Sequence, residues 1–183
     1  MGFLLLLLGL ALWIGAHLFK RVAPERRAAL GDRGKGLVAA AIGLSLVLMV
    51  LGYRSAEFVN VWYPAAWLTH VNNVLMLFAF YSFGIGASKG RHAQRIRHPQ
   101  LTAVKIWAVA HLLANGDLAS ILLFGGLLGW AVAEVVLINK AVPVWEKPSE
   151  IRPNGDVKNA IIAAVLYAVV AGIHVLLGVY PFG

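Results

Sequence analysis

The sequence predicts an all-α membrane protein, a bundle of six helices crossing a bilayer as one domain over residues 1–183. Three observations predict it. The chain is 60% hydrophobic and only 13% charged, with a mean hydropathy of +0.77, whereas soluble domains run at about 45–50% apolar and about 25% charged. A chain this short has no aqueous core large enough for so much apolar side chain. Its apolar runs have the length of bilayer-crossing helices, about 20 residues with a range of about 17–25. Its cations are concentrated in alternate loops, as the positive-inside rule requires. Soluble enzymes and disordered chains are excluded. The absence of cysteine removes disulfides, thiolate metal sites and cysteine nucleophiles.

The runs fall at Phe3–Phe19, Leu37–Tyr53, Ala66–Ala87, Pro99–Asn115, Leu118–Asn139 and Ala160–Val179. The first resembles a signal-peptide core but lacks a basic leader, and it reads as an uncleaved helix. The fourth is the shortest and contains Lys105. Asn115-Gly116-Asp117 makes a tight turn, with Asp117 placed to cap the fifth helix.

Fourteen of the 16 Lys and Arg lie in the first, third and fifth loops, so those loops face the cytoplasm and both termini face the periplasm. Cations in short loops between apolar runs do not form a nucleic-acid groove; the expected partner is the lipid bilayer. Trp62, Tyr63 and Trp67 in the second loop form an interfacial aromatic belt, with a lid over a site as the minor reading. The stretch Pro24–Arg33 either lies on the membrane surface or is a solvated basic loop.

Ionisable residues inside spans point to function. His70, His111 and His174 sit roughly 5–9 Å from the non-cytoplasmic helix ends, and His17, Lys105 and Glu134 sit roughly 4–9 Å from the cytoplasmic ends. In the inner layer an ion pair between Lys105 and Glu134 explains how both are tolerated, while a snorkelling Lys105 beside an interfacial Glu134 is the plain alternative. In the outer layer three imidazoles at one depth converge on a haem, or else each makes an interhelical hydrogen bond. Trp107 and Trp13 each precede a histidine by four residues, which puts ring and imidazole on one face. His92 and His98 belong to a basic loop. Zinc is a weaker reading, because no HExxH spacing exists and no carboxylate stands in the outer layer. Gly84, Gly86, Gly125, Gly126 and Gly129 serve helix packing, since no βαβ unit surrounds them.

The string Arg97-His98-Pro99-Gln100-Leu101 through Trp107, His111-Leu112-Leu113 and Asn115-Gly116-Asp117 resembles the NnrU family. So do Ala16-His17 with the basic stretch to Gly34, and Trp62-Tyr63-Pro64 leading to His70, Asn72 and Asn73. The likeness is strongest over residues 1–140. It implies a bacterial inner-membrane protein associated with denitrification and nitric oxide or nitrite reduction. The family is similar to 15-cis-ζ-carotene isomerase, which carries haem b, so the resemblance also implies redox or isomerase-like chemistry on a hydrophobic small molecule. By matching position it implies His17 and His111 as haem ligands, with His70 also part of the pattern. Trp107 flanks His111, while Arg97 and Lys105 would neutralise propionates directed to the cytoplasmic side. His17 and His111 are expected roughly 13 Å apart along the membrane normal. Three arrangements therefore stay open: a tilted haem, a deeper first helix, or His70 as the partner of His111. The RHP string also resembles isoprenylcysteine and phospholipid methyltransferases, but the paired Glu and Tyr of those enzymes are absent here. The alternative to a haem protein is a cofactor-free membrane accessory factor that assembles or partners a reductase, or a homo-oligomer of that kind.

Overall fold

A computed structural model describes residues 1–182, and every regular element among them is helical. The helices are α1 (Gly2–Val22), α2 (Pro24–Ala29), α3 (Arg33–Ser55), α4 (Leu68–Ser88), α5 (Pro99–Ala114), α6 (Leu118–Ala141) and α7 (Gly155–Leu176), with a 3₁₀ turn at Arg91–Gln94. All six apolar runs form helices. Five of them are long and apolar enough to cross a membrane. The other, α5, has 16 residues and so reaches only about 24 Å at about 1.5 Å per residue. The sequence predicts six spans; five helices have the length and composition of one.

Helix ends follow local chemistry. Pro24 and Pro99 open α2 and α5, where a missing N–H costs nothing. Asp117 caps α6 as expected, its side chain accepting from Ser120 N at 2.9 Å. The last helix begins five residues earlier than its apolar run, because Asp156 and Lys158 stand in its first turns.

α6 sits at the centre, touching α1, α3 and α5; α1 packs along α3, and α4 lies between α5 and α7. Lipid-like surroundings provide no hydrophobic drive between helices, so close packing and polar ties set the arrangement. At Gly52 the α3 backbone meets Leu6 of α1 so closely that a Cβ would collide with the Leu6 backbone nitrogen. Leu6, Leu10, Met49, Leu127 and Trp130 form the core beside that crossing.

Each end of the bundle is tied. At one end the second loop pairs with the α5–α6 turn, through Val61 N to Gly116 O at 2.8 Å and Leu118 N to Val59 O at 2.8 Å. Trp67 and Tyr63 remain exposed there, 62% and 85% by fractional area, which suits an interfacial belt. At the other end the third and fifth loops, both basic, meet. Asp156 accepts from the backbone N–H of Arg91 at 2.8 Å and of His92 at 3.3 Å, and Lys89 pairs with Glu150. The hydrogen bond from Lys89, with a second from Arg152, holds the Glu150 carboxyl below the usual carboxylate range. His92 and His98 are engaged here, with Tyr81 and Asn139 respectively.

Gly52→Ala is expected to force α1 and α3 apart at a cost of about 1–3 kcal/mol, read as a fall in melting temperature in detergent. Gly43→Ala, where a Cβ meets nothing within 4 Å, is expected to leave the melting temperature unchanged or higher.

Candidate functional site

Between α4, α5 and α7, with walls from α3 and α6, lies a cavity of about 750 Å³. Its end near the α5–α6 turn is polar, with Thr69, Asn72, Asn73 and Asn115, while its deeper part is apolar, with Met76, Phe80, Phe83, Val104 and Leu123. Pockets of small ligands and cofactors have this size and this uneven polarity.

Two histidines reach the cavity, His111 from α5 and His174 from α7. His111 Nδ1 lies 2.9 Å from the Trp107 carbonyl, and His174 Nδ1 lies 2.8 Å from the Val170 carbonyl. A carbonyl oxygen only accepts, so each Nδ1 carries the proton and each Nε2 keeps a lone pair. Neither Nε2 has a hydrogen-bond partner among the described residues. The His111 ring packs on Phe124 with centroids 4.6 Å apart and on Trp107 at 5.3 Å. Trp107 therefore shares a face with His111, as the four-residue spacing predicts.

Beside them Tyr53 lines the cavity and bonds Ser120 Oγ at 2.8 Å, while Ser120 Oγ donates to Asp117 at 2.6 Å. A carboxylate accepts, so the Tyr53 hydroxyl donates to Ser120. Asn72 is buried and its Oδ1 has no partner, whereas Asn73 Nδ2 donates to the Pro181 carbonyl at 2.8 Å and holds the chain end against the cavity mouth.

The remaining expected residues lie elsewhere. His70 is exposed and does not line the cavity, so the three outer imidazoles do not converge; His111 and His174 do. His174 differs from His70 in helical register against the cavity, which depth along the chain does not encode. His17 belongs to a separate cluster between α1 and α6. Its ring lies 4.2 Å from Trp13 and 4.7 Å from Trp130, and its Nδ1 lies 2.9 Å from the Trp13 carbonyl. The indole N–H groups of Trp13 and Trp130 are buried there without partners. Trp130 stands six residues beyond Phe124 on α6, an axial offset of about 9 Å between the surroundings of His17 and His111.

Lys105 does not pair with Glu134. The buried Glu134 carboxylate takes Arg21 instead, 3.3 Å from Nε, because position 134 of α6 faces α1 rather than α5. Arg97 spends its guanidinium on the Val142 and Pro143 carbonyls at the basic end, and neither it nor Lys105 lines the cavity. Among the described residues no three His, Asp or Glu side chains form a metal-binding group.

In comparisons with known proteins, a family model described as NnrU protein matches residues 5–181. No curated protein matches the chain, and no solved structure does.

Arg21→Leu leaves the Glu134 charge buried and unpaired and is expected to destabilise the protein by about 3 kcal/mol, since breaking a buried pair from one side costs more than removing both charges. The double variant Arg21→Leu/Glu134→Leu is expected to melt above the single one. A single variant as stable as the wild type would show that the pair carries no such strain.

Proposed function

The chain belongs to the NnrU family, and from that premise we propose that it is a multi-pass protein of the bacterial inner membrane which holds haem b in the cavity between α4, α5 and α7. The work proposed for it is redox or isomerisation chemistry on a hydrophobic ligand, or the handling of nitric oxide in denitrification. One observation carries the reading: two imidazoles on different helices line one cavity, each with Nδ1–H tied to its own helix and Nε2 free as a base. Fixing the proton on the far nitrogen is the outer-shell device that orients an axial histidine. The donor set therefore fits haem iron, with His111 as one ligand and His174 as the other.

The remaining walls support that role. Trp107 and Phe124 pack on the His111 ring and fix its plane. The deep aromatic and aliphatic wall excludes water, and the amides of Asn72, Asn73 and Asn115 line the polar mouth, where carboxylate substituents find hydrogen-bond donors. Arg97 and Lys105 lie outside the cavity, so propionates are proposed to face that mouth. A haem held there supplies a one-electron couple whose potential follows the burial and hydrogen bonding of its ligands.

Placement in the membrane follows from charge. The loops that carry Lys89, Arg97, Arg152 and their neighbours meet at one end, which is proposed to face the cytoplasm with both termini periplasmic. Packed between α4 and α6, α5 is proposed to be the sixth crossing despite its length.

The test is an absorption spectrum of detergent-purified protein, oxidised and then reduced with dithionite. A Soret band with sharp low-spin bands on reduction is expected. His111→Ala and His174→Ala are expected to abolish or shift it, while His70→Ala leaves it intact. A protein with only its aromatic band, purified from haem-replete cells, would overturn the reading in favour of a cofactor-free accessory factor. A His174→Ala variant with an unchanged low-spin spectrum would return the second ligand to His17.

A further inference from the structure

A second hollow lies on the opposite side of the molecule, between α1 and α3. Its volume is about 300 Å³ and its lining is wholly apolar, with Ala11, Gly15, Ala16 and Phe19 on α1 facing Val38 and Ala41 on α3. The small residues Ala11, Gly15 and Ala16 recess the surface over six residues of α1, about 9 Å of helix. A Cβ on Gly15 would meet nothing within 4 Å. Within a bilayer such a recess faces acyl chains.

The basic end of this groove is closed by the α1–α3 connection, a shaped segment that brings Leu30 onto the groove. Gly31 turns the chain at φ 52, a conformation that favours glycine, and Lys35 pairs with Asp32 at 2.9 Å. Between Lys20 and Lys35 stand six cationic side chains against two acidic ones, Glu25 and Asp32. Arg21 is taken by Glu134 and Lys35 by Asp32. Lys20, Arg26 and Arg33 are exposed and have no ion-pair or hydrogen-bond partner among the described residues. The apolar groove thus ends at Leu30, which stands in the chain between the unpaired Arg26 and Arg33. Basic pockets between membrane helices on that side recognise anionic headgroups.

We propose that the α1–α3 groove is a binding site for an anionic phospholipid of the leaflet facing the basic loops, with an acyl chain along Gly15 and Ala16 and the headgroup phosphate against Arg26 and Arg33. The site rests on the membrane placement alone and is independent of haem.

The test uses full-length protein in non-ionic detergent with mixed micelles of phosphatidylglycerol, or of phosphatidylcholine with the same acyl chains. Lipid retained after washing is counted by mass spectrometry. Phosphatidylglycerol is expected to exceed phosphatidylcholine about tenfold, and each cation removed in Arg26→Gln and Arg33→Gln to lower its retention about fivefold. Retention of phosphatidylcholine and the melting temperature should not change in those exposed-site variants. Gly15→Leu fills the groove and should lower retention of both lipids while the Soret band, where present, is unaffected. Equal retention of the two lipids would overturn the proposal, as would a preference unmoved by the Arg variants or by Gly15→Leu. Displacement of phosphatidylglycerol by millimolar inorganic phosphate would also overturn it, leaving a bare anion contact with no acyl site.

Discussion

A single stripe on α6 supports the rest of the molecule. Ser120, Phe124, Leu127, Ala131 and Glu134 recur at four- and three-residue spacing, and all five are buried. That seam meets three helices in turn: Tyr53 of α3 at Ser120, Trp107 and His111 of α5 at Phe124, and Arg21 of α1 at Glu134. In hydrocarbon no water satisfies a stray polar group, so each polar side chain on the seam must find a protein partner at its own depth. The seam therefore fixes both how α1, α3 and α5 surround α6 and where polar chemistry can stand.

The same constraint explains why three histidines share one device. His17, His111 and His174 each place Nδ1 within 2.9 Å of the carbonyl four residues earlier. A helix interior provides that acceptor without help from another element, and the ring is left with one oriented lone pair. What differs is the surroundings of that lone pair. Around His111 and His174 the helices diverge and leave a cavity. Around His17 two tryptophans close in.

Helix positions were legible because hydropathy and loop charge act along the chain. The fourth apolar run, Pro99–Asn115, is a helix over Pro99–Ala114, and the Asn-Gly-Asp turn that predicts the Asp117 cap carries it. Depth was legible for the same reason, since rise per residue is fixed. Azimuth was not. Lys105 and Glu134 share a depth, yet facing is decided by the helix crossings, and Arg21 wins the carboxylate. A signal for that pairing existed: Trp13, His17 and Arg21 lie four apart on one face of α1, opposite Trp130 and Glu134, also four apart. The choice between His70 and His174 had no comparable signal, because it depends on which face of α4 and α7 turns toward α5.

That separation of polar centres bears on how the family pattern should be read. His17 and His111 both stand against α6, but at Trp130 and Phe124, and the intervening Leu127 is buried in the core. Their surroundings are offset by about 9 Å along the helix. His174 lines the cavity with His111, because α7 runs to the same end of the bundle as α5 and its last turns reach the polar mouth. His17 stands in other surroundings. Its ring fills the junction of Trp13 and Trp130 one turn from the Arg21–Glu134 pair, so its shape packs α1 onto the α6 seam.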